Sequence, residues 1–203
     1  MTHWTKTIAI GLTGASGVHY GLRVLRGLVE ADVRVYLLVS QAAQVVLKME
    51  AGLGAPSRPA EAERFFSVYL GAAPGQLRVF GRQEWTAPVA SGSNPPEAMA
   101  ICPCTTGTLA SIAAGLSQDL MHRAADVALK EGRKLILVVR EMPFTVIHLE
   151  NMLRLARAGA VIMPANPGFY FNPQGVDEIY DFVAARVLDH LGVPHRLAAR
   201  WGE

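Results

Sequence analysis

Residues Thr7–Gly17 read TIAIGLTGASG, and the stretch Val18–Glu30 that follows reads VHYGLRVLRGLVE. Thr7–Gly11 is a short apolar run ending in glycine, the pattern of a buried strand. Val18–Glu30 carries apolar residues at helical spacing: Tyr20, Leu22, Leu25 and Leu28–Val29. Val33–Val39 (VRVYLLV) returns to strand character. Strand, glycine turn, helix and strand make a βαβ unit, whose two strands run parallel with a right-handed connection. The chain is therefore read as α/β with a parallel sheet.

The same alternation extends outward. Ser40 ends the second strand and is placed to cap a helix over Gln41–Met49. Ala51–Pro59 reads as loop, Glu61–Gly71 as helix, and Ala87–Pro96 (APVASGSNPP) as a long loop without hydrophobic period. Ala98–Cys102 is read as strand, Pro103–Thr108 as turn, and Leu109–Ala114 and Asp119–Glu131 as helices parted at Gly115. Lys134–Val139 (KLILVV) is continuously apolar, as in a strand buried on both faces. Thr145 caps a helix over Val146–Ala158 that Gly159 ends. Ala160–Met163 is the last strand, Pro164–Pro173 a second long loop, and Val176–Leu191 an amphipathic helix stopped by Gly192 and Pro194. No repeat or linker divides the chain, so residues 1–203 are expected to form one domain.

Composition narrows the function. The chain has 203 residues, is 51% hydrophobic but only 7% aromatic and 18% charged, and has a net charge of +2. Low charge suggests surface covered by other subunits. No Lys/Arg cluster points to nucleic acid. No apolar run is long enough to span a bilayer, and no signal peptide is visible, so a cytosolic location is expected. The two cysteines cannot make a disulfide framework, and one residue between Cys102 and Cys104 is too few for a metal pair. Both read as small buried residues. The six histidines show no metal spacing, and His122 and His148 read as structural. The acidic run Asp177–Asp181 lies at a helix start, where acidic residues favour the helix dipole; no metal is expected there or elsewhere.

In open parallel sheets, ligands sit beyond the carboxyl ends of the strands. Four segments end strands there with unusual chemistry: Gly11–Gly17, Ser40, Pro103–Thr108 and Arg140–Glu141. GLTGASG lets the backbone approach a ligand and offers a helix N-terminus to a phosphate. It lacks the dinucleotide spacing, and Ser40 rather than an acidic residue ends the second strand, which favours a mononucleotide over NAD. Cys102–Thr108 (CPCTTGT) gathers three hydroxyls and a glycine at a strand-to-helix turn, enough to cradle a phosphate or simply to cap the helix. Arg140 and Glu141 offer an anion contact and a proton-transfer group, or a local salt bridge. Asn166–Tyr170 (NPGFY) suits a lid or a contact with a neighbouring subunit.

Taken together, GLTGASGVHYGLRVL, ICPCTTGTLASIAAGLSQDL, HRAADVALKEGRKLILVVRE, HLENMLRLARAGAVIMPANPGFY and VAARVLDHLGVPH resemble flavin prenyltransferases of the UbiX type. The likeness runs over nearly the whole chain and is strongest in Ala98–Leu191. It implies a flavodoxin-like, Rossmann-type three-layer sandwich with a mostly parallel sheet. It implies a metal-independent enzyme that joins the dimethylallyl group of dimethylallyl monophosphate to N5 and C6 of reduced FMN. The product, prenylated FMN, would serve UbiD-type decarboxylases. The resemblance also implies a homo-oligomer, a dodecamer with sites at subunit interfaces.

Residue by residue, the resemblance implies FMN contacts at Gly14, Ala15, Ser16, Ser40, Thr105, Thr106, Gly107, Thr108 and Arg140. Ser91 and Gly92 match a loop that closes on the flavin. Ser16, Glu50 and Glu141 match active-site residues. Arg123, Lys130, Tyr170 and Arg186 match the group holding the donor phosphate, and Trp201 a tail residue near the prenyl pocket. Two departures flank the donor residues: His122 replaces a common acidic residue, and Phe171–Asn172 a common His-Arg or His-Gln pair. Cationic side chains would stabilise the departing phosphate in place of a metal. Glu141, Glu50 or the released phosphate would move the proton. Two other functions fit the same motifs: an FMN-dependent cysteine decarboxylase, and a carrier of prenylated FMN without catalysis.

Overall fold

The computed structural model describes residues 4–198 and 202. Its elements, in chain order, are β1 (Thr7–Leu12), α1 (Val18–Glu30), β2 (Arg34–Val39), α2 (Gln41–Ala51), α3 (Pro59–Leu70) and β3 (Leu77–Phe80). After a 3₁₀ turn at Pro88–Ala90 come β4 (Ala98–Cys104), α4 (Thr106–Ala113), α5 (Leu120–Lys130), β5 (Lys134–Val139), α6 (Val146–Arg157), β6 (Val161–Pro164) and α7 (Val176–Leu191). The six strands form one sheet in the order β3-β2-β1-β4-β5-β6, and every neighbouring pair is parallel. This is the doubly wound Rossmann order, so the chain reverses direction across the sheet between β1 and β4.

Strand alternation builds two cores, because successive side chains point to opposite faces. Ile8, Ile10, Leu12, Val35 and Leu37 face α1, α2, α3 and α7, where Phe66, Leu25, Leu28 and Leu188 complete one buried cluster. Ala9, Tyr36, Leu38, Met99 and Ile101 face the other side, with Leu109, Met121, Leu135 and Leu137. The helices packed there are α4, α5 and α6. The β4–α4–α5–β5 crossover and the return of the chain after β6 therefore place α5 and α7 on opposite faces of the sheet.

Two readings of the sequence change. The strand β3 has no counterpart in the sequence pattern: it has only four residues, LRVF, and its pairing with β2 is a tertiary contact rather than a local pattern. Pro103 and Cys104 belong to β4 rather than to a turn, and α4 begins at Thr106, three residues earlier than the apolar period suggests. Proline inside a strand removes a ladder donor, and the β4–β5 register shifts between Ile101 and Cys104 to accommodate it.

Among the described residues no helix is long and apolar enough to cross a membrane, and no group of three or more His, Cys, Asp or Glu side chains is placed to hold a metal.

Candidate functional site

The carboxyl ends of β1, β2 and β4 open into a cleft of about 630 Å³, within the range of small-ligand sites. Thr13, Gly14, Ser40, Thr105, Gly107 and Thr108 line it. Each reaches the cleft by local chemistry. Ser40 caps α2, its Oγ accepting the Ala43 N–H at 3.0 Å. Thr105 caps α4, its Oγ1 accepting the Thr108 N–H at 3.1 Å. Its hydroxyl donates to Thr108 Oγ1 at 2.9 Å. Two helix N-termini with hydroxyl caps thus converge on one cleft, and their partial positive charge favours an anion. A Cβ added at Gly107 would have nothing within 4 Å, so a ligand can approach the α4 backbone directly.

Thr13 ties the two halves of the cleft. Its side chain is buried (1% exposed). Its hydroxyl donates to the Pro103 carbonyl at 2.7 Å and accepts the Thr105 N–H at 2.9 Å. This bridges β1 and β4 at the reversal point. No motif singles out Thr13; its place at the end of the first strand, inside the glycine turn, is the one signal the sequence carries for it. Gly14 is required beside it, since any Cβ there would overlap the Ala42 methyl of α2.

The glycine turn itself differs from expectation. The N-terminus of α1 is not free for a phosphate. Glu50, at the end of α2, accepts the Gly17 N–H at 2.8 Å and the Val18 N–H at 3.1 Å through Oε2. Gly17 makes this possible by its left-handed φ of 96°. Burial works to raise the Glu50 carboxyl. Hydrogen bonds from the Ser16 hydroxyl, Gly17 and Val18 outweigh it and hold the group below the usual carboxylate range. The clasp is therefore intact at neutral pH. It is lost as pH falls through the depressed value.

Arg140 and Glu141 follow β5 at the same edge. The Arg140 N–H donates to the Cys104 carbonyl at 3.3 Å. Arg140 and Glu50 both act electrostatically on Tyr20, whose hydroxyl is raised chiefly by burial. Glu141 is exposed and lightly engaged: it accepts the Met142 N–H at 3.1 Å and the Thr106 hydroxyl at 3.5 Å. No Arg140–Glu141 salt bridge forms among the described residues.

Cys102 and Cys104 are unbridged and fully buried, and burial pushes the Cys104 thiol up to about 12 and Cys102 higher still. Neither is a nucleophile. Native protein at pH 8 is expected to leave both thiols unmodified by iodoacetamide over hours, with both alkylated in guanidinium; modification of folded protein, read by intact mass, would contradict this.

The remaining residues do not gather in this cleft within one chain. Gly92 lies against Lys130 and Glu131, a Cβ there falling 2.8 Å from Lys130 Nζ. Lys130 ends α5 just before β5 starts, so Ser91, Gly92 and Lys130 belong to the amino edge of the sheet. Arg123 sits higher on α5, its Nε donating to the Ala90 carbonyl at 3.1 Å and its guanidinium paired with Asp126 at 2.6 Å. Lys130 pairs with Glu131. Tyr170 lies in the loop after β6, edge-on to Phe182 of α7 at 5.8 Å. Arg186, further along α7, pairs with Asp189 at 2.8 Å. Arg123 and Lys130 thus lie on the opposite face of the sheet from Tyr170 and Arg186. Trp201 lies outside the described residues.

Of the two histidines read as structural, His148 has a structural partner, whereas the ring of His122 lines the cleft with its buried Nδ1 unpartnered. His148 completes a capping box with Thr145. His122 Nδ1 lies 3.3 Å from Asp119 Oδ1, too poorly aligned for a hydrogen bond. The acidic start of α7 pairs with α1: Arg23 reaches Asp177 at 2.7 Å and Asp181 at 3.3 Å.

The Flavoprotein family matches residues 2–188. The chain is 54% identical over 198 residues to the flavin prenyltransferase UbiX of Pseudomonas aeruginosa, covering 98% of this chain and 95% of that protein. Among solved structures it resembles AnUbiX, crystallised with FMN and dimethylallyl pyrophosphate. The TM-score is 0.86 at 35% identity, over 98% of each chain. It also resembles a dodecameric FMN-dependent UbiX-like decarboxylase of Escherichia coli O157:H7, with a TM-score of 0.86 at 40% identity, over 97% of this chain and 100% of that one.

Proposed function

Since the chain belongs to the flavin prenyltransferase family of flavoproteins, we propose that its cleft joins a dimethylallyl group, from dimethylallyl monophosphate, to reduced FMN. The observation that carries this is the pair of hydroxyl-capped helix N-termini, α2 and α4, meeting at the β1–β4 reversal point. They suit the 5′-phosphate of a flavin mononucleotide. The clasp of Glu50 on α1 removes the third helix N-terminus from contention.

Bound reduced FMN supplies the nucleophilic N5 and C6 that receive the prenyl group. Ser40, Thr105, Thr106, Gly107 and Thr108 hold its phosphate end. Gly14, Ala15 and Ser16 line the flavin, with Ser16 oriented by Glu50 and Arg140 countering negative charge. Four side chains hold the donor phosphate: Arg123, Lys130, Tyr170 and Arg186. They lie on two faces of one protomer, so we assign Arg123 and Lys130, with Ser91 and Gly92, to the cleft of a neighbouring copy. Met142, Val146 and Ile147 around the start of α6, and Leu153 further along it, are each more than half exposed and provide apolar surface for such an assembly. Phosphate departure is assisted by charge neutralisation from these residues. The prenyl cation is shielded from water where copies meet.

For the second bond, the prenyl double bond must gain a proton before C6 can add to it, and Glu141 would take the proton that then leaves C6. Of the two carboxylates it is the one free to reach the flavin, being exposed and lightly hydrogen-bonded, whereas Glu50 is committed to hydrogen bonds from Ser16, Gly17 and Val18. Prenylated FMN then passes to a decarboxylase of the UbiD type. We take residues 1–203 as one flavoprotein domain working in the cytosol, where its unbridged thiols are at home.

The test is anaerobic incubation with reduced FMN and dimethylallyl phosphate, followed by mass spectrometry of the released flavin. A gain of one C5H8 unit is expected, faster with the monophosphate than with the diphosphate. Unmodified FMN would favour a cysteine decarboxylase or a carrier. Glu141→Gln is expected to lower kcat about a hundredfold or more with FMN affinity retained; unchanged turnover removes Glu141 from proton transfer.

A further inference from the structure

The phosphate end of the cleft also receives a charge cluster that no motif supplies. Arg82, in the loop after β3, lines the cleft beside Ser40, Thr105 and Thr108 and is the one arginine or lysine among its described lining residues. Its backbone is pinned, since its carbonyl accepts the Leu120 N–H at 2.8 Å at the start of α5. Its side chain is held loosely. The guanidinium lies 3.6 Å from Asp119 Oδ2, long for a charge-assisted hydrogen bond, and is half exposed. Arg82 also lines an adjoining cavity of about 240 Å³, so it has room to turn. Asp119 is fixed in place: it is 8% exposed, and its Oδ1 accepts the His122 N–H at 3.1 Å as the cap of α5.

A phosphate dianion between α2 and α4 meets hydroxyls and amides, with Asp119 and the His122 ring beside it in the same wall. A cation is needed to offset that carboxylate. Resting on the flavin reading above, we propose that Arg82 is the charged contact to the flavin 5′-phosphate, turning onto it from Asp119. The Arg82–Asp119 pair then sets the preference for phosphorylated over unphosphorylated flavin. The two residues act with opposite sign: Arg82 draws the phosphate in, and Asp119 competes for Arg82 and repels the anion.

The test titrates full-length protein with oxidised FMN and, separately, riboflavin, following flavin fluorescence. Wild type is expected to bind FMN more tightly. Arg82→Gln should weaken FMN about tenfold to a hundredfold while riboflavin stays within about twofold, the loss of one charge-assisted contact. Asp119→Asn, which keeps the α5 cap, should tighten FMN severalfold and leave riboflavin unchanged. Equal weakening of both flavins by Arg82→Gln would show a structural role and overturn the proposal. So would unchanged FMN affinity in that variant with the wild-type preference intact, which leaves the flavin site standing. Wild type binding neither flavin would instead sink the flavin reading itself, and the proposal with it.

Discussion

A mixture of two inactive variants is expected to regain activity. Lys130→Ala and Glu141→Gln each remove one part of the proposed site, and each alone should lose about a hundredfold or more in turnover. Glu141 lies at the carboxyl edge of the sheet, beside Thr106. Lys130 lies at the other edge, at the end of α5, against Gly92 and paired with Glu131. If one site takes Glu141 from one copy and Lys130 from a neighbour, subunits mixed by unfolding and refolding restore both residues in some sites. For random mixing of equal amounts in a symmetric homo-oligomer, about a quarter of wild-type activity should return. A site contained in one chain predicts no recovery at all. Size-exclusion chromatography of each variant, run beside the assay, shows whether assembly survives the substitution.

The largest expected effect on stability comes from a residue far from any chemistry. Gly21 lies on the face of α1 that crosses β4. A methyl group there would overlap the Cys102 carbonyl oxygen and come within 2.5 Å of Leu12 Cδ2. A side chain can change rotamer to make room, but a strand carbonyl inside a six-stranded sheet cannot. Gly21→Ala should therefore lift α1 from the sheet. A loss of about 3 kcal/mol is expected, at the upper end for overpacking. That is a large share of the total stability of an ordinary domain. Gly107→Ala is the matched control, since nothing lies within 4 Å of a Cβ there. Helix propensity predicts that this change is neutral or stabilising by up to about 1 kcal/mol. Urea unfolding of both variants in the absence of flavin reads the difference; equal midpoints would contradict the packing argument.

Much of the scaffold was legible from local pattern. The bounds of α1, β5 and α7 coincide with the periodicity, because their apolar spacing, caps and stops are set by neighbouring residues in the chain. Thr145 and Ser40 act as the caps their side chains suggest. The parallel sheet follows from strand–helix alternation, since parallel neighbours need a crossover between them.

What escaped local reading involves partners distant in sequence. β3 has four residues and exists because β2 offers it a ladder. Pro103 sits in a strand because Thr13, ninety residues away, accepts the next turn's N–H and donates to its carbonyl. The GASG turn reads as an anion site until Glu50, thirty-three residues on from Gly17, is seen to occupy its amides. Arg82 belongs to no motif and reaches the cleft only because its loop is bonded to the start of α5.

By itself, then, the sequence determined the alternation of elements, the burial of both cysteines and the set of chemical groups gathered at strand ends. Those depend on spacing and side-chain type, which are local. The tertiary structure alone decided which two of three helix N-termini stay open to an anion, and that Lys130 and Glu141 lie at opposite edges of the sheet. Those depend on where the crossovers carry each helix, and no local pattern records that.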